Sequence, residues 1–503
     1  MRTTEIAVPG ARLVTDIHLP DGDGPFPAVV LRTPYDRRRH RAEARGWAAR
    51  GFAAVVQDVR GRYASRGHWH PYREEAADGA ATLRRIRDEA WSDGRIVAAG
   101  ASYAAHCALA AAHGDDDPAD RPDAVIAAVP ALGLAETARE AGGVERLSAR
   151  AGWWAAHGDR PDSDEKALAT ALASDPHLLE HLPLATLPSR LGRDLPSWAA
   201  LWEAAPAGAP GGLGPAVSGP RVPLLVVGGT RDPFLDDAIR LWRHWGGTAR
   251  LLIGPWGHGL TAEPGPEARP GHAIALGELY VRWARAALGG ALRPGRGGAI
   301  ALGGSEHWYA AGTPARPVAR DFGSPAGPRL LHGEHFTADP QRPVRSDELA
   351  IGTGGPADRA VLVTPPLPRP LDLLGSAEVR LRATADTPSA DWAVRVVALD
   401  PEGRADPLAV GVVRRADPPG ADARFPVPLG PVARRLPAGT RLRVEIAGHH
   451  FPAHARNPHT GEDPVHATRL TASRRTVRTT GSTLLLPVAD GRHPVDPAEE
   501  TCT

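Results

Sequence analysis

Residues 95–106 read RIVAAGASYAAH, an apolar, β-rich segment that runs into small residues around a single serine. The run from Arg95 to Gly100 predicts a buried strand, and the alanine-rich residues after Tyr103 predict a helix. Ser102 therefore lies on a tight turn from strand to helix, with Gly100 and Ala104 two positions away on either side. This is the nucleophile-elbow pattern, in which crowding admits only small neighbours. The alternative is that Ser102 only caps the helix.

The segments around this turn alternate between short apolar strands and amphipathic helices. Strands are predicted in EIAV, LVTDIHL, PAVVLRT, FAAVVQDV and AVIAAVPAL, and helices in RRHRAEARGWAARG and YREEAADGAATLRRIRDEA. Such alternation predicts the α/β class, with a mostly parallel sheet that is covered by helices on both faces. We assign residues 1–130 to the first part of this core.

The alternation stops after residue 130 and returns near residue 216. Residues 131–215 are rich in Ala, Leu and Trp at helical spacing, which predicts a helical cap inserted into the core. VPLLVVGG and ARLLIGPWG then read as strands of the second part of the core, over 216–300. The following GGALRPGRGG reads as a loop or linker. From 315 to 503, short alternating runs such as AEVRLRATA and RLRVEIAG predict an all-β sandwich domain.

The charge, apolar content and cysteine content of the chain limit the kinds of binding partner and the cellular location that we expect. The 59 basic and 58 acidic residues give a net charge of +1, which does not favour nucleic acid or an anionic membrane surface. No apolar run approaches the 18 or so residues that a membrane span needs. The two cysteines, Cys107 and Cys502, cannot form a disulfide framework, and the N-terminus lacks the features of a secretion signal. We therefore expect a cytoplasmic protein, with Cys107 as a buried thiol.

A catalytic serine needs a base, and the base needs an orienting carboxylate. VPLLVVGGTRDPFLDD places Asp232 just after a predicted strand, and RLLIGPWGHG places His258 just after the next one. The order serine, acid, histidine is the chain order of α/β-hydrolase sites. Asp236 and Asp237 are alternative acids, but they lie in the following helix, where acidic residues commonly only stabilise the first turn.

Clustered histidines raise the possibility of a metal site. They lie in GHWHPYREE and in the C-terminal part of the chain, at His68, His70, His449, His450, His454 and His459. Neither H-E-x-x-H nor a comparable ligand spacing is present. We therefore expect no metal and no cofactor.

Several segments together resemble one family. They are TPYDRRR (33–39), QDVRGRYASRG (57–67), WSDGRIVAAGASY (91–103), GGTRDPFLD (228–236), GPWGHG (254–259) and, in the β-rich part, DPLAVGVVRRA and FPAHARNPHTGED. With these motifs the chain resembles the cocaine esterase and X-prolyl dipeptidyl-peptidase family of serine hydrolases, also called CocE/NonD. The resemblance implies an α/β-hydrolase core, a helical cap and a C-terminal jelly-roll domain.

The resemblance also implies roles for individual residues. Ser102 would be the nucleophile, Asp232 the orienting acid and His258 the base. Tyr35 would stabilise the oxyanion through its phenol, together with the backbone N–H of Tyr103.

The substrate pocket is less strongly indicated. Relatives that hydrolyse α-amino-acid esters carry carboxylates two and three residues after the triad acid, where this chain has Phe234 and Leu235. The resemblance therefore implies a pocket for a neutral, apolar acyl group, with Trp153 and Trp154 as further walls. The same tryptophans would equally serve as packing inside the cap. Arg231, next to the acid, leaves the polarity of this wall open.

These observations predict a serine hydrolase that cleaves an ester or amide bond of a small molecule through an acyl-enzyme. They leave open whether the protein is a monomer or a homodimer. Two enzymatic alternatives use the same triad: an acyltransferase with an amine or alcohol acceptor, and an X-prolyl or aminoacyl peptidase. A third alternative is a binding protein in which the jelly roll is active and the hydrolase core is not.

Overall fold

The computed structural model of the protein describes residues 1–113, 117–203, 215–352, 354–491 and 493–503. The strands of its first half are, in chain order, β1 (Arg2–Val8), β2 (Ala11–His18), β3 (Phe26–Thr33), β4 (Ala53–Asp58), β5 (Ser92–Ala101), β6 (Ala124–Ala128), β7 (Leu224–Gly229), β8 (Ala249–Gly254), β9 (Trp256–Gly257), β10 (Leu260–Pro264), β11 (Arg296–Ala301) and β12 (Trp308–Ala310). All except the β9–β10 hairpin form one ten-stranded sheet.

The helices of the described chain are α1 (Arg41–Ala48), α2 (Glu75–Arg87), α3 (Tyr103–Ala112), α4 (Leu134–Ala138), α5 (Leu147–His157), α6 (Ala167–Ser174), α7 (Leu187–Arg190), α8 (Ser197–Glu203), α9 (Leu235–His244), α10 (Leu276–Leu288) and α11 (Pro497–Cys502). Short 3₁₀ helices span Arg37–His40, Pro118–Asp120, Leu178–Glu180, Leu184–Thr186, Pro215–Ser218 and Pro270–His272. Within the described ranges, no helix is long and apolar enough to cross a bilayer.

The sheet order is β1-β2-β4-β3-β5-β6-β7-β8-β11-β12, with parallel pairing from β4 to β11 and antiparallel pairing at both edges. Every residue of β4, β6, β7 and β8 is buried, because helices cover both faces. Helices α1, α10 and α11 pack on one face, and α2, α3 and α9 on the other. The predicted α/β class is confirmed.

Helices α4 to α8 occupy the insertion predicted over 131–215, of which residues 204–214 lie outside the described part of the chain. Its core is built largely from Trp154, Trp198, Leu201 and Trp202.

The C-terminal domain is a sandwich of two antiparallel sheets. Its strands are β13 (Ala315–Asp321), β14 (Arg329–His332), β15 (His335–Ala338), β16 (Arg359–Val363), β17 (Leu371–Ala385), β18 (Ala390–Leu399), β19 (Ala405–Arg415), β20 (Ala423–Leu436), β21 (Arg441–Ala447) and β22 (Ser473–Ala489). One sheet has the order β13-β22-β17-β20 with β15 also on β22, and the other has the order β14-β16-β21-β18-β19. Apolar residues of both sheets form one core, as expected for a sandwich.

The observed boundaries differ from the predicted ones in two places. β11 lies partly within the predicted linker, and β12 extends the core sheet past residue 300 to Ala310. The glycines of this stretch allow close pairing: a Cβ on Gly298 would lie 2.0 Å from the Leu251 carbonyl oxygen of β8. The chain also returns to the core at its end, where Cys502 of α11 packs in the same cluster as Trp283 of α10.

Candidate active site

Three predicted site residues follow parallel strands of the core sheet. Ser102 comes directly after β5, Asp232 follows β7, and His258 follows β8 by way of the short β9. Parallel strands present their carboxyl ends at one edge of a sheet, so these loops meet there. Nδ1 of His258 lies 2.7 Å from Oδ1 of Asp232.

The acid next to His258 is Asp232 and not one of the two alternatives. The Asp232 side chain is 0% exposed, whereas 43% of the His258 side chain is open to solvent. Asp237 lies in the first turn of α9 and pairs with Arg240 at 3.0 Å. The arrangement therefore offers a buried carboxylate and, on the other side of the imidazole, access for a substrate.

Ser102 occupies a strained turn. Its φ of 58° and ψ of −121° lie in a region that non-glycine residues rarely adopt. Its side chain makes no capping hydrogen bond to α3, so the capping alternative is not what the geometry shows. No hydrogen bond joins Ser102 to His258 in the described part of the chain; such contacts are often long in free enzymes and shorten when substrate binds.

Gly100 is required by the close approach of α3. A Cβ at this position would lie 2.3 Å from both the carbonyl carbon and the carbonyl oxygen of Ala104, so Gly100→Ala forces the strand and helix apart. We expect this variant to lower the free energy of unfolding by about 1–3 kcal/mol, measured from denaturant midpoints. Gly277→Ala in α10 is the matched control, because a Cβ there meets nothing within 4 Å. Unchanged stability of Gly100→Ala would contradict this account of the turn.

Tyr35 follows β3, and its side chain extends to the Ser102 turn. Its hydroxyl accepts a hydrogen bond from Nε1 of Trp153 at 3.2 Å and lies beside the Ser102 side chain and the Tyr103 backbone N–H. Burial raises the pKa of Tyr35, and these three neighbours offset only part of the rise. The phenol is therefore protonated at neutral pH and can donate a hydrogen bond. The structure brings together both predicted oxyanion donors and the serine.

A buried polar network lies beneath the turn. The Tyr103 hydroxyl donates to Glu75 at 2.8 Å and accepts from the Tyr72 N–H at 2.6 Å. Glu75 also pairs with Arg32 at 3.1 Å and accepts from the Cys107 thiol at 3.4 Å. Burial raises the pKa of both Tyr103 and Cys107. The prediction that Cys107 is a buried thiol is confirmed.

Aromatic side chains surround the serine and histidine. The Phe234 ring lies 5.6 Å from the His258 ring, edge to face, and Trp153 stacks on the Tyr103 ring at 5.7 Å. Phe234 therefore borders the histidine, and Trp153 borders the residue that follows the serine.

Trp154 is not part of this wall, and its predicted role in substrate binding is corrected. Its side chain is fully buried, its Nε1 donates to the Ser197 hydroxyl at 2.9 Å, and its ring packs near Trp198 in the cap core. Successive residues of a helix point about 100° apart. When Trp153 faces the site, Trp154 must therefore face the cap.

Two arginines near the site have different surroundings. Arg231 pairs with Glu267 of the core at 2.7 Å and with Asp406 of the C-terminal domain at 2.9 Å, so its charge is neutralised. Arg150 was not predicted as a site residue. It lies one turn before Trp153 on α5, only 6% exposed, with its guanidinium carbon 5.9 Å from the centre of the Phe234 ring. A charged residue in the otherwise apolar run around Trp153 was the signal in the sequence.

The C-terminal domain holds the start of α5. The Leu147 N–H donates to the Ala453 carbonyl at 2.9 Å, and the Ser148 N–H donates to the Pro452 carbonyl at 3.1 Å. Nearby, Arg414 of β19 pairs with Glu145 at 2.8 Å. The sandwich thereby positions the helix that carries Arg150 and Trp153.

Histidines of the C-terminal cluster bind protein groups, whereas His68 and His70 are exposed. His454 pairs with Glu140 at 3.0 Å, and Nδ1 of His459 lies 2.8 Å from the Thr471 carbonyl oxygen. Burial lowers the pKa of His450 to about 3 and that of His459 to about 4. Across the described ranges, no group of three or more His, Cys, Asp or Glu residues could hold a metal ion.

Comparisons with known proteins agree with this architecture. The family described as X-Pro dipeptidyl-peptidase (S15 family) matches residues 9–260, half of the chain, and the X-Pro dipeptidyl-peptidase C-terminal non-catalytic domain matches residues 329–485. Cocaine esterase from Rhodococcus sp. (strain MB1 Bresler) is 26% identical, over 90% of this chain and 91% of the relative.

Solved structures show the same fold across almost the whole chain. An α-amino acid ester hydrolase is similar at a TM-score of 0.76 and 19% identity, over 97% of this chain and 96% of that one. A CocE/NonD family hydrolase from Staphylococcus aureus has a TM-score of 0.65 at 13% identity, over 97% and 93% of the two chains. Together with the family match, these findings show that the chain belongs to the X-Pro dipeptidyl-peptidase (S15) family and is a serine hydrolase of the ester- and amide-cleaving class.

Proposed function

We propose that the protein hydrolyses an ester or amide through an acyl-enzyme on Ser102. The observation that carries this proposal is the convergence of the Asp232–His258 pair, the strained Ser102 turn and the Tyr35 hydroxyl at one edge of the sheet. The relative named cocaine esterase supports ester cleavage, and the family name supports amide cleavage.

The proposed reaction begins with attack of Ser102 Oγ on the acyl carbon. His258 takes the hydroxyl proton at Nε2, because its Nδ1–H donates to Asp232 and fixes the tautomer. Charge then develops on the acyl oxygen, where the Tyr35 hydroxyl and the Tyr103 N–H donate hydrogen bonds. His258 returns the proton to the leaving alcohol or amine. Water, deprotonated by His258, releases the acid and restores Ser102.

The acyl group is proposed to have an apolar body. Trp153 stacks on Tyr103, and Phe234 lies against His258, so methylene or aryl groups next to the carbonyl would contact aromatic surfaces. Burial of apolar area on these rings is the main attraction that such a pocket offers.

A fluorophosphonate probe tests the nucleophile. Because the probe reacts with activated serines, we expect one adduct per chain, on the peptide that contains Ser102, identified by mass spectrometry of a digest. The Ser102→Ala variant is the control and should remain unlabelled. Labelling of another residue, or none in the wild type, would contradict the proposal.

Tyr35→Phe separates the oxyanion contribution from that of the triad. Loss of one preorganised donor is expected to lower kcat by about 10²- to 10³-fold with little change in KM, because this hydrogen bond strengthens as charge develops. Tyr280→Phe is the matched control, since its buried hydroxyl in α10 makes no hydrogen bond and lies outside the site. A loss in kcat below about fivefold would leave Tyr35 as a packing residue.

A further inference from the structure

Arg150 is a buried cation beside the proposed catalytic groups that has no anionic partner among the described residues. Arg150 is only 6% exposed, and its Nε has no hydrogen-bond partner. The polar group beside its guanidinium is the uncharged Tyr72 hydroxyl. Burial of a guanidinium without an anion is unfavourable, so Arg150 lowers the stability of the free protein.

Among the described residues, six of the other seven buried arginines bind a carboxylate or a backbone carbonyl, and the seventh, Arg475, binds Nε2 of His459. Three pair with carboxylates and three donate to backbone carbonyls: Arg32, Arg359 and Arg395 in the first group, and Arg62, Arg250 and Arg456 in the second. A buried arginine with neither a carboxylate nor a carbonyl acceptor, as at Arg150, is therefore the less common arrangement among the described residues.

The charge near Arg150 is positive. Arg146, the residue immediately before α5, is close enough to lower the pKa of Arg150, although burial is the larger cause. Arg146 itself is neutralised by Glu140 at 2.9 Å. Since an arginine stays protonated even in such surroundings, an uncompensated positive charge remains at Arg150.

Arg150 is placed where a bound acyl group would end. On the same face of α5, Trp153 donates to the Tyr35 hydroxyl, which is the proposed oxyanion donor and so lies near the acyl oxygen. Phe234 contacts both the Arg150 guanidinium, at 5.9 Å, and the His258 ring, at 5.6 Å. An acyl chain that leaves Ser102 along these rings would meet the guanidinium at its far end.

We propose that Arg150 binds a carboxylate on the acyl group, and that the preferred substrates are monoesters or monoamides of short dicarboxylic acids. This inference rests on the proposed function and replaces a wholly neutral acyl group with one that has an apolar body and an anionic end. A guanidinium offers a fork of N–H donors that matches a carboxylate, and the buried setting strengthens the interaction.

The test compares two aryl esters that differ only in charge: the monoester of glutaric acid and its analogue with a terminal carboxamide. The measured quantity is the ratio of kcat/KM for the acid to that for the amide, with Ser102→Ala as the blank for spontaneous hydrolysis. We expect wild type to favour the acid, and Arg150→Met to lower the ratio about ten- to a hundredfold, the range of a charge-assisted hydrogen bond. Arg150→Lys should lie between them, because it keeps the charge without the fork.

Arg190→Met is the control for charge, since it removes an exposed arginine from the cap, and its ratio should equal that of wild type. Thermal unfolding establishes that Arg150→Met is folded; should it not be, Arg150→Lys carries the comparison. A wild-type ratio near one, or equal losses on both esters in Arg150→Met, would overturn the proposal. So would a carboxylate preference seen only when the carboxylate is on the leaving alcohol.

Binding separates this inference from the catalytic mechanism. Glutarate should bind to the Ser102→Ala protein in calorimetry and bind at least about tenfold more weakly when Arg150→Met is added. This result is expected whether or not Ser102 is the nucleophile. Equal glutarate affinity in both proteins would overturn the role of Arg150, whereas an active Ser102→Ala enzyme would overturn only the proposed mechanism.

Discussion

Ser102→Ala is expected to lower kcat by roughly 10⁶-fold, the scale observed when a triad serine is removed from a serine hydrolase. The reason is that Ser102 lies beside the Tyr35 hydroxyl, on a strained turn at the start of α3. Among the described residues, no other side chain combines these two features. The fold should be unchanged, because the Ser102 side chain does not cap α3. Initial rates with an aryl ester and a thermal unfolding curve measure the two effects.

EDTA serves as the complementary control for Ser102→Ala. A mechanism built on a covalent nucleophile predicts no change in the wild-type rate after chelator treatment. An alanine variant that keeps more than about a hundredth of the activity, or a wild type that chelator inactivates, would contradict the assignment.

Asp232→Asn is expected to lower kcat by about 10⁴-fold while leaving the structure intact. The asparagine is nearly isosteric, but its amide nitrogen can donate to His258, which favours the tautomer with a proton on Nε2. That tautomer cannot accept the Ser102 proton. The 2.7 Å contact between Nδ1 of His258 and Oδ1 of Asp232 makes this effect specific to one carboxylate.

Asp237→Asn is the matched control for Asp232→Asn. Its carboxylate is also buried and lies five residues later in the chain, with burial raising its pKa to about 6, but its partner is Arg240. We expect kcat to stay within about twofold of wild type, as for residues outside the catalytic group. A large loss in Asp237→Asn with activity retained in Asp232→Asn would exchange the two assignments.

The pattern of apolar residues predicted the architecture, because in each strand or helix it indicates which faces are buried. Strands β6 and β7 are apolar along their whole length, and every residue of β4 and β8 is also buried, which only a sheet covered on both faces accounts for. The predicted linker at residues 289–298 was wrong in part, because composition alone did not distinguish a loop from a strand that needs glycine. Its glycines suggested a loop, whereas β11 needs them to approach β8 closely.

The catalytic candidates were predictable because the topology of a parallel sheet fixes where the loops after its strands lie. In a parallel sheet, the loops after successive strands must meet at one edge, so Ser102, Asp232 and His258 could be found from the strand ends alone. The pocket could not be found in this way. Trp153 and Trp154 are adjacent in the sequence and chemically alike, yet the rotation of α5 directs one to Tyr35 and the other to Ser197.

Arg150 shows most clearly where sequence reasoning ended. By itself the sequence determined a serine on a strand-to-helix turn, an acid and a histidine in the right order, and an apolar residue at 234. Only the tertiary structure decided that Arg150 of the cap lies over Phe234 of the core without a carboxylate to neutralise it. The physical reason is that periodicity records which side chains are buried, whereas the charge balance of a buried group depends on partners from distant segments. Those partners are set by how α5, the core loops and the C-terminal domain pack together.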